Sequence, residues 1–319
     1  MIVNFVLEER NMDNNVSGIG LVLAGGGGKG AYQVGVLKAL KENGLLDDVT
    51  AISGASIGAV NAMLYAMDDI NIMYEAWDEI DFGTVFDIDL EMLMDKRPYF
   101  IRDEMLKLVD KYIDFDKIIN GRYKIYNSIC RLDDTFKYSI PEYRLLSDYD
   151  EDMIKKILMA STALPLIYES VEIDGHYYRD GGICDNEPIK PLYDMGIRQF
   201  IVIGMAHDKV FNTEPWPDAS FITIYPSYNL GNLVNGTLNF NDKAIEFRER
   251  LGYKDGLRSI RTKFNPDDTY IKMEAALAQN DYNETVMQMS VNSTYDAMEK
   301  RINSNLDKFD KLAKKYENY

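Results

Sequence analysis

The sequence predicts an α/β fold, with a central, mostly parallel sheet carrying helices on both faces. Three observations support this. Ile19–Ala24 is an apolar run without a polar side chain, and it leads through Gly25-Gly26-Gly27-Gly28-Lys29-Gly30 into a helical pattern from Ala31 to Leu40. Val49–Ser53 is a second short uncharged run, and it leads through Gly54-Ala55-Ser56-Ile57-Gly58 into an apolar helix, Ile57 to Met67. Phe200–Gly204 and Phe221–Tyr225 have the same buried-strand character further along. Apolar strands that alternate with helices form parallel sheets, because each connection must cross a face of the sheet.

The elements follow in order. Residues 1–17 form a polar leader, with Glu8, Glu9 and Asp13 where a signal peptide would need a basic start and an apolar core. Asn43-Gly44 stops the first helix. Asn71–Ile80 and Ile101–Tyr112 have amphipathic helical spacing and are joined by Asp81–Pro98. The stretch 68–145 is therefore a candidate cap or insertion; an ordinary packing layer fits the pattern equally. Arg122–Leu132 and Phe136–Ile140 flank Asp133-Asp134 as a hairpin. Asp150–Ser161 is a helix with acids in its first turn and Ile154, Ile157, Leu158 and Ser161 on one face. Val171–Ile173, a turn at Asp174-Gly175 and His176–Tyr178 make a small hairpin that runs into Asp180-Gly181-Gly182. From Asn241 the chain is helical and highly charged, most clearly over Met273–Ala278 and Val286–Leu312. The expected organisation is a main domain over 18–226 and a mainly helical extension over 227–319.

Composition removes several classes of function. The chain has 319 residues, 46% hydrophobic and 27% charged, which is ordinary for a globular protein. A formal charge of −17 excludes nucleic acid as a partner and disfavours electrostatic docking on an anionic bilayer. Contact with a membrane would need an apolar surface or a local basic patch. No stretch approaches 18 consecutive apolar residues. Two cysteines, Cys130 and Cys184, are too few for a disulfide framework and read as reduced thiols. The expected location is cytoplasmic, with at most transient contact with a membrane surface.

Gly54–Gly58 is a G-x-S-x-G pentapeptide between a strand and a helix, the setting of a nucleophile elbow. A serine at the apex of so sharp a turn needs neighbours without side chains two residues away on either side, and these are Gly54 and Gly58. The helix that follows aims its N-terminal N–H groups at the serine. The earlier glycine run satisfies G-x-G-x-x-G, but the next strand does not end in the acid that a dinucleotide site requires. It also fails as a P-loop, since Lys29 precedes Gly30 and Ala31. As an oxyanion loop it fits: consecutive glycines turn backbone N–H groups toward one point, and Lys29 adds positive potential. Ser56 then needs a base. The order Ser56, Asp180, His207 is that of α/β-hydrolase triads, whereas a partly buried Asp180 could itself take the proton.

Together, Gly25–Gly30, Gly54–Gly58 and Asp180-Gly181-Gly182 resemble the three ordered motifs of the patatin-like phospholipases. Ala160-Ser161-Thr162-Ala163-Leu164-Pro165 and Asp185-Asn186-Glu187-Pro188 match as supporting segments. The resemblance spans roughly Gly18 to Ile203, and one departure is Ala24, where plant members often carry aspartate. It implies a three-layer α/β/α fold and a Ser56–Asp180 dyad that needs no metal or cofactor. It also implies acyl-ester hydrolysis of lipids, with Gly25 to Gly30 as the oxyanion loop and Gly54, Gly58, Gly181 and Gly182 in support. On that reading the partner is a lipid or other acyl-ester substrate and His207 is unnecessary. A triad using His207, or an inactive relative that binds lipid or a partner, are the alternatives.

Overall fold

A computed structural model describes residues 17–80, 102–133, 139–165 and 167–264, together with a few isolated positions beyond. The expected connection over 81–98 and nearly all of the two charged helices after residue 272 lie outside these residues. One compact unit runs through Lys263.

The described residues form an eight-stranded, mostly parallel sheet between helical layers. Its strands are β1 (Ile19–Leu23), β2 (Val49–Ala55), β3 (Lys124–Leu132), β4 (Ser139–Leu145), β5 (Val171–Ile173), β6 (His176–Asp180), β7 (Gln199–Ile203) and β8 (Ser220–Ile224). β3, β2, β1, β7 and β8 run parallel, in that order across the sheet. β1 is buried along its whole length, as a strand covered on both faces must be. The stretch 68–145 thus supplies two strands of the sheet, β3 and β4, as well as helices.

β3 carries the register that matters most. β4 lies antiparallel along one of its edges, from Tyr126 to Leu132. The other edge takes β2 over Lys124–Ser128 and then β6 over Ile129–Arg131. Ala55 is opposite Ser128, and Asp180 is opposite Ile129, the next residue. The end of β2 and the end of β6 therefore meet at one place on β3.

Helices α1 (Ala31–Glu42), α2 (Ile57–Tyr65), α3 (Ile70–Asp78), α4 (Arg102–Tyr112), α5 (Phe115–Ile119) and α6 (Glu151–Ser161) accompany the first strands. α7 (Lys190–Asp194) and α8 (Asp242–Phe264) follow later. α3, α5 and α6 start with the side chains of Asp69, Asp114 and Asp150 accepting backbone N–H groups, which removes one orphan donor from each. α8 is long and charged, yet it lies directly on α1. A Cβ on Gly35 would fall 1.9 Å from the Glu249 carbonyl oxygen, and one on Gly252 2.0 Å from that of Tyr32. Tyr32 also donates to Asp255 at 3.1 Å, in a buried bond between the two helices.

The expectation of free thiols is corrected: Cys130 and Cys184 form a disulfide, with Cα atoms 5.6 Å apart. Their number gave no sign of pairing. The pairing follows from register, since Cys130 lies opposite Arg179 on β6 and the turn after Asp180 brings Cys184 back over β3. The paired cysteines give no indication of a reducing compartment. Among the described residues no helix is long and apolar enough to cross a membrane.

Candidate active site

Ser56 sits at the apex between β2 and α2 with φ 53° and ψ −127°, a conformation strained for any residue but glycine. Contacts on all sides hold it there. A Cβ on Gly54 would lie 2.4 Å from the Gly58 carbonyl oxygen, and one on Gly58 2.1 Å from that of Leu23. The Ser56 N–H donates to Ser161 Oγ at 3.1 Å, and Ser161 Oγ donates to the Ser128 carbonyl at 2.8 Å. Ser161, at the end of α6 and fully buried, thereby ties the apex to β3. Ser161→Ala removes both of these buried hydrogen bonds. We expect equilibrium urea denaturation to show a loss of about 1–3 kcal/mol.

Ser56 Oγ donates to Asp180 Oδ2 at 2.6 Å, and the Gly182 N–H donates to Asp180 Oδ1 at 2.8 Å. Asp180 is 4% exposed. Burial raises its pKa to about 6, and the two hydrogen bonds, which favour the ionised form, only partly oppose this. A Cβ on Gly181 would lie 2.0 Å from the Ser128 carbonyl oxygen, so only glycine lets the turn close on β3.

The glycine loop is fixed from both sides. In front, Asn186 accepts the Gly25 N–H at 3.1 Å and returns its amide to the Gly25 carbonyl at 3.3 Å. Behind, Gln33 donates to the carbonyls of Ala24 and Ile203, Asn61 donates to Gly30 and to Gln33, and the Trp77 indole donates to Asn61. These buried amides are satisfied by one another and by the backbone, so they lock the strand ends that carry the loop. The six loop residues are not equivalent. The Gly25 N–H is taken by Asn186, and the Lys29 N–H by the Gly26 carbonyl at 3.2 Å. Gly27 opens a 3-10 turn with φ +55°, so the N–H groups of Gly27 and Gly28 have no acceptor within the turn. Gly30 packs against Ile57 and Trp77. Lys29 is half-buried, and desolvation followed by the charge of Arg248 lowers its pKa.

A cavity of about 420 Å³ opens over this arrangement, a size ordinary for a ligand site. Ser56, Asp180, Gly182 and Gly25 to Gly27 line its base with Asn186. Ile57, Met105, Leu164, Ile167, Tyr168, Ile183, Leu233, Leu238 and Phe240 give the rest an apolar lining. Leu233 and Ile183 are about half exposed. Gly28, Lys29, Gly30, Cys184 and His207 do not line the cavity. The His207 ring is occupied elsewhere, with Nδ1 on the Pro226 carbonyl at 2.9 Å and Nε2 on Asp208 at 3.0 Å.

Sequence reasoning assigned no role to Ser161 or Asn186, although both stand in the two supporting segments, where the signal was present. It had no signal for Leu233, Leu238 or Phe240, which lie in a polar loop before α8.

The patatin-like phospholipase family model matches residues 21–193. The chain is 30% identical over 260 residues to lysophospholipase nte1 of Aspergillus terreus, covering 80% of this chain and 16% of that protein. It is 27% identical over 267 residues to lysophospholipase NTE1 of Saccharomyces cerevisiae, covering 80% and 15%. The chain thus spans less than a fifth of the length of these curated relatives. Among solved structures, VipD from Legionella pneumophila aligns with TM-score 0.48 and 14% identity, covering 81% of this chain and 72% of that one. Human GIVD cytosolic phospholipase A2 aligns with TM-score 0.47 and 10% identity, covering 85% and 62%.

Proposed function

The chain belongs to the patatin-like phospholipase family, and from that premise we propose that it is a serine lipid acyl hydrolase acting through a Ser56–Asp180 dyad. The observation that carries the reading is the 2.6 Å hydrogen bond from Ser56 to Asp180 at the base of an apolar cavity. Asp180 takes the hydroxyl proton as Ser56 attacks the acyl carbonyl. The developing oxyanion is received by the N–H groups of Gly26, Gly27 and Gly28, in a site the apolar lining keeps poor in water. Protonated Asp180 passes its proton to the leaving alcohol. It then accepts one from the water that hydrolyses the acyl-enzyme, so the dyad returns to its starting state.

The apolar lining suits an acyl chain, and the half-exposed Ile183 and Leu233 suit a chain entering from a lipid surface. With a charge of −17, that surface is zwitterionic or neutral lipid. A phospholipid or lysophospholipid ester is the proposed substrate, in line with what the fungal relatives are named for.

Labelling with a fluorophosphonate probe tests the reading, because only an activated serine reacts; wild-type protein that stays unlabelled at pH 8 would overturn it. The pH profile adds a second measure. Catalysis needs Asp180 ionised, so kcat/KM on a soluble ester such as p-nitrophenyl butyrate is flat above about pH 7. Below the carboxyl's pKa of about 6 it falls tenfold per pH unit. A profile still flat at pH 5 contradicts an Asp180 base.

A further inference from the structure

The backbone behind the glycine loop poses an electrostatic difficulty for the proposed reaction. The turn Leu233–Thr237 and the residues after it pack directly on the loop, where a Cβ on Gly27 would meet the Thr237 carbonyl oxygen at 2.2 Å. A Cβ on Gly28 would meet the Asn239 carbonyl oxygen at the same 2.2 Å. Carbonyl oxygens carry partial negative charge. Two of them lie against Gly27, which lines the cavity, and Gly28, the next residue of the same turn, where they oppose the stabilisation the proposed reaction asks of the loop.

Arg248 answers this. It lies on α8, outside the family-matched residues 21–193, and is 2% exposed. Its Nη1 donates to the Asn239 carbonyl at 2.5 Å, and its Nη2 to the carbonyls of Gly236 at 3.1 Å and Asn235 at 3.4 Å. The same Nη1 would be 2.9 Å from a Cβ on Gly28, so the guanidinium itself touches the loop. Arg248 pairs with no carboxylate among the described residues. Burial lowers its pKa only to about 10, so it stays charged at neutral pH. A buried cation without a counter-ion is costly and is normally paired. Beside it the half-buried Lys29 also has no anionic partner among the described residues, and burial first, then the charge of Arg248, lowers its pKa. The positive charge is thus concentrated behind the turn that carries Gly27 and Gly28.

We infer that Arg248 is a positioning residue for the oxyanion site. Its guanidinium clamps residues 235–239 against Gly27 and Gly28, and its charge offsets the carbonyl dipoles there. The inference rests on the hydrolase reading above. The wall formed by Leu233–Phe240 is then part of the catalytic apparatus and depends on a helix outside the family core. Phe240, stacked on Trp77 with ring centroids 6.3 Å apart, anchors the far end of that wall.

The test compares Arg248→Gln, which keeps amide donors and loses the charge, with Arg248→Lys, which keeps the charge and loses the fork. Steady-state kinetics on p-nitrophenyl butyrate are read beside thermal denaturation. The glutamine variant is expected to lose about tenfold or more in kcat with KM changed by less than about threefold, and the lysine variant to recover most of the loss. Wild-type kcat in Arg248→Gln overturns the inference. So does an equal kcat loss in both variants that simply follows their loss of Tm. If the wild-type protein turns over no ester and takes no probe, the hydrolase reading fails by itself, and binding of laurate, whose carboxylate stands in for the oxyanion, decides about Arg248. Calorimetry in the Ser56→Ala background should then show Arg248→Gln weakening laurate about tenfold, and unchanged affinity overturns the inference.

Discussion

Ser56→Ala is expected to remove ester turnover, lowering kcat by about 10⁶-fold, and to abolish fluorophosphonate labelling altogether. The size follows from the number of steps that depend on one oxygen. Ser56 Oγ is the attacking atom, the donor in the hydrogen bond to Asp180, and the attachment point of the acyl group. Alanine leaves the glycine loop and the cavity in place, so substrate still binds while no acyl-enzyme can form. The fold should tolerate the change, because the bonds that hold the apex run through the Ser56 backbone N–H, which alanine keeps. Circular dichroism matching wild type, with kcat lowered by about 10⁶-fold, is the expected result. Retention of more than about a thousandth of kcat would point to a different nucleophile.

Asp180→Asn is expected to lower kcat by about 10⁴-fold or more, since the amide cannot take the proton from Ser56. The pH profile alone cannot name the base, because a histidine would titrate close to the same pH as the raised Asp180 carboxyl. Substitution separates the two. His207 bonds to Pro226 and Asp208 and does not line the cavity, so His207→Ala should keep kcat within about twofold of wild type. The reverse pattern, with Asp180→Asn active and His207→Ala dead, would establish the triad and remove the dyad. Stability should move in the opposite direction from activity. Burial holds the folded-state pKa of Asp180 above the ordinary aspartate value of 3.8, so the fold favours the protonated form. Its contribution to stability is full below about pH 4 and is lost as pH rises through about 6. Holding the ionised carboxylate at pH 7 then costs about 3 kcal/mol, which the neutral asparagine avoids. Asp180→Asn should therefore melt several degrees higher than wild type at pH 7, with the gap narrowing toward pH 4.

Much of the scaffold is legible in the sequence because its demands are local. An apolar run without polar side chains has to be a strand buried on both faces, and β1 is one. A serine at the apex of a tight strand-to-helix turn needs glycine two residues to either side, and Gly54 and Gly58 record that need in five consecutive letters. The helix Asp150–Ser161, with acids in its first turn and Ile154, Ile157 and Leu158 on one face, is equally local. The contacts that join distant segments leave no such trace. Ser161 and Asn186 stand in segments the sequence singles out, but neither their neighbours nor those of Arg248 show that one ties the apex to β3 and another clamps Gly25. The Cys130–Cys184 bond was misread for the same reason: cysteine number carries no information about strand register.

The sequence by itself determined three chemical segments, a serine turn, a glycine loop and an aspartate turn, because each is contiguous and constrains its own backbone. Only the tertiary structure decided how they meet. The successive pairing of β2 and β6 along one edge of β3 puts Asp180, and not His207, against Ser56. Asn186 takes the N–H of Gly25, while Gly27 and Gly28 open the turn with theirs free of acceptors within it. A helix residue some 220 positions away, Arg248, supplies the cation behind them. Register and packing between segments set these choices, and they depend on distances across the fold that no local stretch of sequence encodes.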